Sequence, residues 1–559
     1  MRTSPLEELP SELLLHLLSF LSLASLLSLS RTNRSFHFLI DSTVLPQFAL
    51  NGSNYSPATL KHLHNQSKGY GRKKLGWTWG RKAIWADKIG EKWKDWDFTG
   101  VSFGGWERSM PVIKLWSVEE GIEGVLIARG KGLEWWVAVD QRGTMTCVQI
   151  LVKGYEEGQR GKRGLVRSAL DDITALTEGG RAGEIIVSRV SGVVQRLKVR
   201  DLGGRGRPIV LEEIARYSIP QVDHARPGST AVQALHSSAS SNLVVSASTT
   251  RLRPPNRRQL ELDQNDSLAH NLMKRAAPKK HQVAIHSIVS PWQPPAVIPL
   301  SSKPWSVHLA PSSTLSWLAI GQSGTSPLTL LQLDSTGNPL LDSSIPLART
   351  SKSTSVYSLT TPSLNCSPFL RPDQTLIAAF FDSTTRIYDL RSPSSASSAS
   401  SSALTTSDWN DLPSSDSNEV LRLSDPWSDD PSYSVATGGS SGSYVAVGSA
   451  RNSAVRIFDI RSTSSSPFSA SSTSSSSPIT SGITAFGPKG DRSPVYGLSM
   501  ENSRIWGVTE SSGFVFNFHA DERDAGREES VAFVGHEGER KGELRRTGRR
   551  ENRVIEILE

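Results

Sequence analysis

The chain has little cysteine: Cys147 and Cys366 are the only two in its 559 residues. Two thiols cannot form the disulfide framework of a secreted scaffold, nor the thiolate-rich cluster that holds a structural zinc ion. We therefore expect a protein of a reducing compartment, in the cytoplasm, the nucleus or both, that carries no metal or other cofactor.

Motifs of common catalytic sites are missing as well. The sequence contains no G-x-x-x-x-G-K-[ST] phosphate loop and no H-E-x-x-H zinc motif. Neither cysteine lies in a recognisable nucleophile motif. We therefore expect a binding protein rather than an enzyme, with no catalytic residues of its own.

The sequence also lacks an apolar run long enough to cross a membrane. The most apolar stretch, Leu13 to Leu29, is interrupted by His16 and four serines, and it is shorter than the roughly 20 apolar residues that a spanning helix needs. Three glutamates lie between residues 7 and 12, whereas a secretory signal begins with a positive segment. We therefore expect neither a targeting segment nor a membrane partner.

Leucine at helical spacing dominates the first 50 residues. We expect five leucines to share one face of a helix that begins near Pro10: Leu13, Leu14, Leu17, Leu18 and Leu21. Ser25 is placed to cap a second helix, and Phe36, Leu39 and Ile40 are placed to close a three-helix unit. A unit of this size cannot bury all its leucines alone. The surplus predicts a docking face for a partner.

Residues 1–50 resemble the F-box. The resemblance runs from Leu9 and Pro10, through the leucine helix, to Ser30-Arg31-Thr32-Asn33-Arg34-Ser35-Phe36. It implies a Skp-type adaptor as the partner and, through that adaptor, a cullin. The residues that would bind the adaptor are Leu9, Pro10, Leu13, Leu14, Leu17, Leu18, Leu21, Leu26 and Leu29. Of these, Leu26 and Leu29 would be shared with the core of the unit.

Positive charge is concentrated in residues 51–110, which we interpret as a helical linker. Ten Lys and Arg residues lie between positions 61 and 94, against two acidic residues. Trp85, Ile89, Trp93 and Trp96 recur at helical spacing, so 81–97 is predicted to be an amphipathic helix packed on the following domain. Nucleic-acid binding by these tryptophans and lysines is the alternative, but rings confined to one helix face are typical of a core.

From residue 111 to 520 the chain alternates short β-rich runs with turn residues. The two clearest runs are Leu376–Arg391 and Tyr444–Arg461, and each contains a buried strand, a polar turn and a second strand that ends in an aromatic residue and Asp. They resemble WD repeats, with Tyr388-Asp389 and Phe458-Asp459 in place of Trp-Asp. The resemblance implies structural turn residues at Asp382 and Asn452, as well as at Asp389 and Asp459.

Fainter runs of the same kind extend the series to seven. The candidate units are 124–151, 172–199, 230–260, 305–333, 356–390, 433–460 and 494–518. We therefore predict an α+β multidomain chain: a three-helix F-box, a helical linker and an all-β propeller with seven blades as the leading count. Gly535-His536 leaves an eighth blade open.

Several segments are too polar to belong to blades. We predict disordered inserts at 251–282, 392–418 and 462–481, the last two rich in serine, and a charged tail at 521–559. Lys274-Arg275 and Lys279-Lys280 favour a solvated loop over a nuclear-import signal. Arg205-Gly206-Arg207-Pro208 has the spacing of a minor-groove binder, but an inter-blade loop is the favoured interpretation.

An F-box followed by WD-like repeats is similar to the F-box/WD-repeat substrate receptors of Skp-cullin-F-box ubiquitin ligases. The resemblance implies that the F-box docks the adaptor and that the propeller binds a protein target, phosphorylated or not. The alternatives are a WD-repeat scaffold without a ligase role and a DNA-associated propeller. Strand register alone decides whether Arg251, Arg386, Arg451 or Arg456 faces a target, and the default for Arg386 and Arg456 within their strands is the surface.

Overall fold

The computed structural model describes nine stretches of the chain. They are residues 9–45 (without 31 and 33), 92–106, 109–152 (without 120–121 and 139–144), 172–252 (without 203–207, 218 and 220–224), 279–362 (without 312–315), 371–391, 418–460 (without 426–427 and 440–441), 482–518 (without 488–490 and 502) and 533–535. Most of the linker, the inserts at 392–417 and 462–481, and the greater part of the tail lie outside these residues.

A small helical unit comes first. Its helices are α1 (Ser11–Ser19), α2 (Leu23–Ser30) and α3 (Arg34–Leu39), and a π-helical turn, Ile40–Val44, continues α3. Helix α1 follows Pro10, whose carbonyl accepts the first helical hydrogen bond from Leu14 N at 3.0 Å. Ser22, rather than Ser25, caps α2, because its hydroxyl accepts a hydrogen bond from Ser25 N at 3.2 Å.

The first four blades of the β body are four-stranded sheets. Blades 1 and 2 are β2 (Val112–Glu119), β3 (Ile122–Arg129), β4 (Gly132–Ala138) and β5 (Met145–Val152), then β6 (Ile173–Glu178), β7 (Glu184–Arg189), β8 (Val194–Asp201) and β9 (Ile209–Tyr217). Blades 3 and 4 are β10 (Ala225–Ser238), β11 (Leu243–Leu252), β12 (Lys279–Ser287) and β13 (Ala296–Leu300), then β14 (Pro304–Leu309), β15 (Trp317–Gly324), β16 (Leu328–Leu333) and β17 (Pro339–Ala348).

Three further blades follow, and an earlier strand, β1 (Thr99–Phe103), joins the last of them. Blade 5 is β18 (Thr354–Thr360), β19 (Thr375–Phe380), β20 (Thr385–Asp389) and β21 (Glu419–Leu423). Blade 6 is β22 (Ser432–Gly438), β23 (Tyr444–Ser449), β24 (Ala454–Asp459) and β25 (Gly482–Phe486), and blade 7 is β26 (Gly497–Met500), β27 (Arg504–Val508), β28 (Gly513–Asn517) and β1.

The blades form a closed ring around their first strands. Strand β2 contacts β6, β6 contacts β10, and the series continues through β14, β18, β22 and β26 back to β2. Each of the seven interfaces between neighbouring blades has its own buried hydrophobic cluster, including the one between blades 7 and 1. A helical unit followed by a β-propeller is therefore confirmed.

Strand β1 completes the ring from the N-terminal side. It pairs antiparallel with β28, with Thr99 opposite Asn517 and Phe103 opposite Gly513, and so forms the outer edge of blade 7. The strand lies inside the range 51–110 that the sequence assigned to the linker, so the sheet begins earlier than residue 111. This five-residue strand is too short and too weakly patterned to be recognised in the sequence.

Two other boundaries differ from the prediction for a similar reason. Lys279 and Lys280 begin strand β12 and pair with β11, so they do not belong to an insert or a solvated loop. Strand β29 (Phe533–Gly535) lies within the predicted tail and forms a fifth strand of blade 6, beside β25. Gly535 therefore does not begin an eighth blade in the described part of the chain.

Candidate functional site

Helix α1 divides its leucines between two sides. Leu14 and Leu18 are buried, 9% and 2% exposed, in a cluster with Leu26 and Phe36, whereas Leu13 and Leu17 are 53% and 48% exposed. The expected single apolar face is therefore two adjoining faces, because a helix that is apolar over more than half of its circumference can turn only one side to its own core.

The outward side forms one apolar surface, which we call the docking face. Its members are Leu13, Leu17, Phe20 and Leu21, and Phe20 is the most exposed of them at 73%. The ring of Phe20 meets that of His16 edge-on at 4.9 Å between centroids. A cluster of large apolar side chains in water is typical of a surface that another protein covers.

The predicted adaptor-binding residues fall into three groups. Pro10, Leu13, Leu17 and Leu21 are exposed, Leu9 and Leu29 are half-buried, and Leu14, Leu18 and Leu26 are buried in the core of the unit. The last three are placed to hold the helices together. Phe20 was missed, although it lies three residues after Leu17 and therefore on the same side of α1.

The described end of the linker packs on the propeller. Trp93 is fully buried, stacked on Phe518 at 3.6 Å and tilted against Tyr444 at 4.5 Å between ring centroids. Trp96 meets Tyr444 edge-on at 5.7 Å. These two rings are occupied by core contacts and offer no platform for bases. Trp85 and Ile89 lie outside the described residues, as do Arg205 and Arg207.

The predicted turn residues lie at the ends of blade strands. Asp382 accepts hydrogen bonds from Thr384 N at 3.1 Å and from Thr384 Oγ1 at 2.6 Å, and Asp389 accepts one from Arg391 N at 2.9 Å. Hydrogen bonds from Arg391 lower the pKa of Asp389. Asn452 has a left-handed backbone, φ 60°, and Asp459 ends β24. Asp382, Asp389 and Asn452 therefore belong to tight local geometry.

Two arginines that strand position assigned to the surface are buried. Arg386 is 4% exposed, donates to Asp382 Oδ2 at 2.7 Å and lies 4.2 Å above the Phe380 ring. Arg456 is 3% exposed and lies 3.3 Å from Asp425 Oδ2. The nearby carboxylates of Asp382 and Asp425 offset part of the cost of burying these two charges. Both guanidinium groups are therefore held inside the protein and are not presented on its surface.

Half-buried aromatic rings follow one another across blades 4 to 7. They are Trp305, Tyr357, Tyr433 and Tyr496, which we call the aromatic arc. Their centroids are 4.7 Å apart from Trp305 to Tyr357, 4.7 Å from Tyr357 to Tyr433, and 6.2 Å from Tyr433 to Tyr496. They lie at or near the start of the first strand of their blades, on what we call the entry face of the propeller.

A repeated backbone irregularity builds the arc. In blades 4, 5 and 6 the pairing register shifts at the aromatic residue, between Pro304 and Ser306, Val356 and Ser358, and Ser432 and Ser434. Such bulges re-aim a side chain. The serine that follows then binds the next blade: Ser306 Oγ donates to Val356 O at 3.0 Å, and Ser434 Oγ to Val495 O at 2.9 Å.

At the blade 3 end of the arc lies a small cavity of about 140 Å³, the cationic pocket. The described residues that line it are Ala231, Gln233, Thr249, Arg251, Lys279 and Lys303, and none of these carries a carboxylate. Lys303 Nζ lies 3.3 Å above the Trp305 ring, so pocket and arc are continuous. Burial, together with the positive charge of Lys279, lowers the pKa of Lys303.

Neither the arc nor the pocket was found from the sequence, although a signal exists. An aromatic residue followed by Ser or Gly and then an aliphatic residue occurs at Trp305-Ser306-Val307, Tyr357-Ser358-Leu359, Tyr433-Ser434-Val435 and Tyr496-Gly497-Leu498. The WD-like pattern lies at the ends of the repeats, so their first strands do not stand out in it.

Buried histidines give the propeller a pH-dependent stability. Burial lowers the pKa of His286 from 6.5 to about 4, and burial with the charge of Lys114 lowers that of His308 to about 3. These histidines become protonated near pH 6.5 in the unfolded chain but stay neutral in the folded chain. Their contribution to stability is therefore complete above pH 6.5 and is lost as the pH falls. We expect each of the two histidines to lower the free energy of unfolding by about 1.4 kcal/mol at pH 5.5 relative to pH 8.

Urea unfolding at pH 8 and pH 5.5 measures this loss. His286→Gln with His308→Gln should reduce the difference between the two pH values without removing it, because burial also lowers the pKa of His236, which remains in this variant. The exposed control His37→Gln should keep the full difference. An unfolding free energy that is unchanged between these pH values in the original chain would contradict the assignment.

The described residues offer no obvious catalytic centre. They contain no group of three His, Cys, Asp or Glu placed to hold a metal ion. Burial, with the charge of Glu134, raises the pKa of the Cys147 thiol to about 11, so it is not a thiolate at neutral pH. A G-x-S-x-G spacing at 438–442 connects strands β22 and β23, whereas a nucleophile elbow joins a strand to a helix.

Comparison with known proteins bears on the helical unit. The family model described as F-box-like matches residues 6–45, which include α1, α2, α3 and the docking face. No curated protein matches the chain. None of the helices among the described residues has the length and apolar character to span a membrane.

Proposed function

We propose that this chain is the non-catalytic substrate-recognition subunit of a Skp-cullin-F-box ubiquitin ligase. The F-box-like match supports an adaptor role in such a ligase, and the observation that carries the proposal is the docking face of that matched unit. Its exposed Leu13, Leu17, Phe20 and Leu21 supply the apolar surface that a Skp-type adaptor would cover, and the adaptor would link the chain to a cullin.

The propeller would hold the protein target. Its closed ring is a rigid support of the kind from which WD-repeat proteins present binding surfaces, and its entry face carries half-buried aromatic rings beside basic side chains. Ubiquitin transfer would be accelerated by proximity, because holding a target lysine near a conjugating enzyme turns a bimolecular encounter into an effectively unimolecular one. We place this activity in the cytoplasm, the nucleus or both.

Affinity purification of the full-length chain, with and without proteasome inhibition, tests the proposal. We expect a Skp-type adaptor and a cullin to co-purify in both conditions, and a target to accumulate only when degradation is blocked. Stable partners that are identical in both conditions, with neither adaptor nor cullin, would instead support the alternative of a propeller scaffold without a ligase role.

A further inference from the structure

We infer that the aromatic arc and the cationic pocket form one binding site for an extended peptide segment that carries an anionic group at one end and apolar or proline residues beside it. This inference rests on the proposed function, since it states which part of the propeller reads the target and by what chemistry. The site runs along the entry face from blade 3 to blade 7.

The pocket supplies the anion-binding end. Arg251 and Lys279 lie opposite each other on β11 and β12, and Lys303 reaches the same cavity from the segment before β14. Within the described part of the chain, none of these three cations forms an ion pair. Three neighbouring positive charges repel one another, so a phosphate or carboxylate that enters the cavity relieves this repulsion and accepts charge-assisted hydrogen bonds.

Gln233 favours a ligand that brings a hydrogen-bond donor beside its anionic group. Its side chain lines the pocket, and its Oε1 is buried without a hydrogen-bond partner among the described residues. An unpaired buried acceptor is costly, and a carboxylate or a fully ionised phosphate cannot satisfy it because neither carries a donor. A backbone N–H of a peptide that brings the anionic group into the pocket would do so.

The aromatic arc supplies the apolar part of the site. Half-buried rings that keep part of their surface accessible are suited to proline and aliphatic side chains, as in the aromatic grooves that bind proline-rich segments. The three centroid steps of 4.7, 4.7 and 6.2 Å correspond to about five residues of extended chain at about 3.3 Å per residue.

The site has a direction. Blade 2 has the same register shift in its first strand, between Ile173 and Ala175. The residue at this shift is Thr174, which is polar, whereas blades 4, 5 and 6 have an aromatic residue there. Aromatic surface therefore continues on one side of the pocket only. A peptide bound here should show a preference for apolar residues on one side of its anionic residue and none on the other.

A peptide library tests this inference with the full-length chain. The probes are nine-residue peptides with phosphoserine, glutamate or serine at the centre and all other positions randomised. We expect the phosphoserine pool to be enriched at least about tenfold over the serine pool, as charge-assisted contacts require, with the glutamate pool between them. Apolar residues and proline should be enriched on one side of the centre.

Matched variants separate the two parts of the site. Lys279→Ala with Lys303→Ala should abolish the preference for phosphoserine. Lys280→Ala with Lys198→Ala, which removes two exposed lysines that do not line the pocket, should leave it unchanged. Tyr433→Ala should remove only the one-sided apolar preference, and Tyr433→Phe should restore it because the ring surface is retained.

Three results would overturn the inference: no enrichment of any pool, apolar preference that is equal on both sides, or a pocket variant that selects like its control. Adaptor co-purification of the same variants is measured in parallel and depends on the docking face alone. Peptide selection without adaptor binding would reject the proposed function and keep the site, whereas adaptor binding without selection would do the reverse.

Discussion

Alanine at both Leu13 and Leu17 is expected to abolish co-purification of a Skp-type adaptor while the helical unit stays folded. Both side chains are about half exposed, so their truncation should change the folding stability of the unit very little. In a desolvated interface a central leucine of this kind contributes at least about 2 kcal/mol, or about 30-fold in affinity for each residue. Titration of the purified chain with adaptor measures the loss.

Two comparisons make this result specific to the docking face. Leu340→Ala with Leu341→Ala removes the same number of exposed carbon atoms from blade 4 and should leave adaptor affinity unchanged. Leu14→Ala should also weaken adaptor binding, but by unfolding the unit at a cost of about 2–5 kcal/mol, which loss of helical circular dichroism and faster proteolysis reveal. Full affinity in the Leu13 and Leu17 double variant would refute the docking face.

Trp93→Ala is expected to destabilise the propeller by about 3–5 kcal/mol, the cost of removing a large ring from a packed core. The Trp93 ring lies against Tyr444 of blade 6 and Phe518, which follows the third strand of blade 7, so its loss opens a cavity at the interface between the two blades. Urea unfolding followed by near-UV circular dichroism measures the change.

Trp292 provides the control for this substitution. It is 79% exposed between β12 and β13, so Trp292→Ala should shift the unfolding midpoint very little. Equal midpoints for the two variants would show that the end of the linker is only apposed to the propeller and contributes nothing to its stability.

Periodicity in the sequence was sufficient for the helical unit and for the strongest blades. Strands β19 and β23 are buried along their whole length, and the turn and second strand that follow each of them are where the sequence indicated. Local patterns of this kind are set by residues a few positions apart, which is why they can be read without a structure.

Features that depend on contacts between distant segments could not be predicted in this way. Buried Arg456 pairs with Asp425, which lies 31 positions earlier in the chain. The pocket brings together Arg251, Lys279 and Lys303 from three separate strands or loops. The inward turn of Leu14 and Leu18 likewise depends on where α2 and α3 pack. Each is a property of tertiary neighbours, and strand or helix position gives no indication of it.

The pairing of β1 with β28 determines where the shortest stable propeller fragment can begin. A fragment begun at residue 111 would leave the third strand of blade 7 with an unpaired row of amides and carbonyls, open to strand exchange or aggregation between copies. A soluble propeller fragment should therefore begin upstream of Lys92. Strand β1 then pairs with β28 in the fragment, and Trp93 keeps its stacking partners.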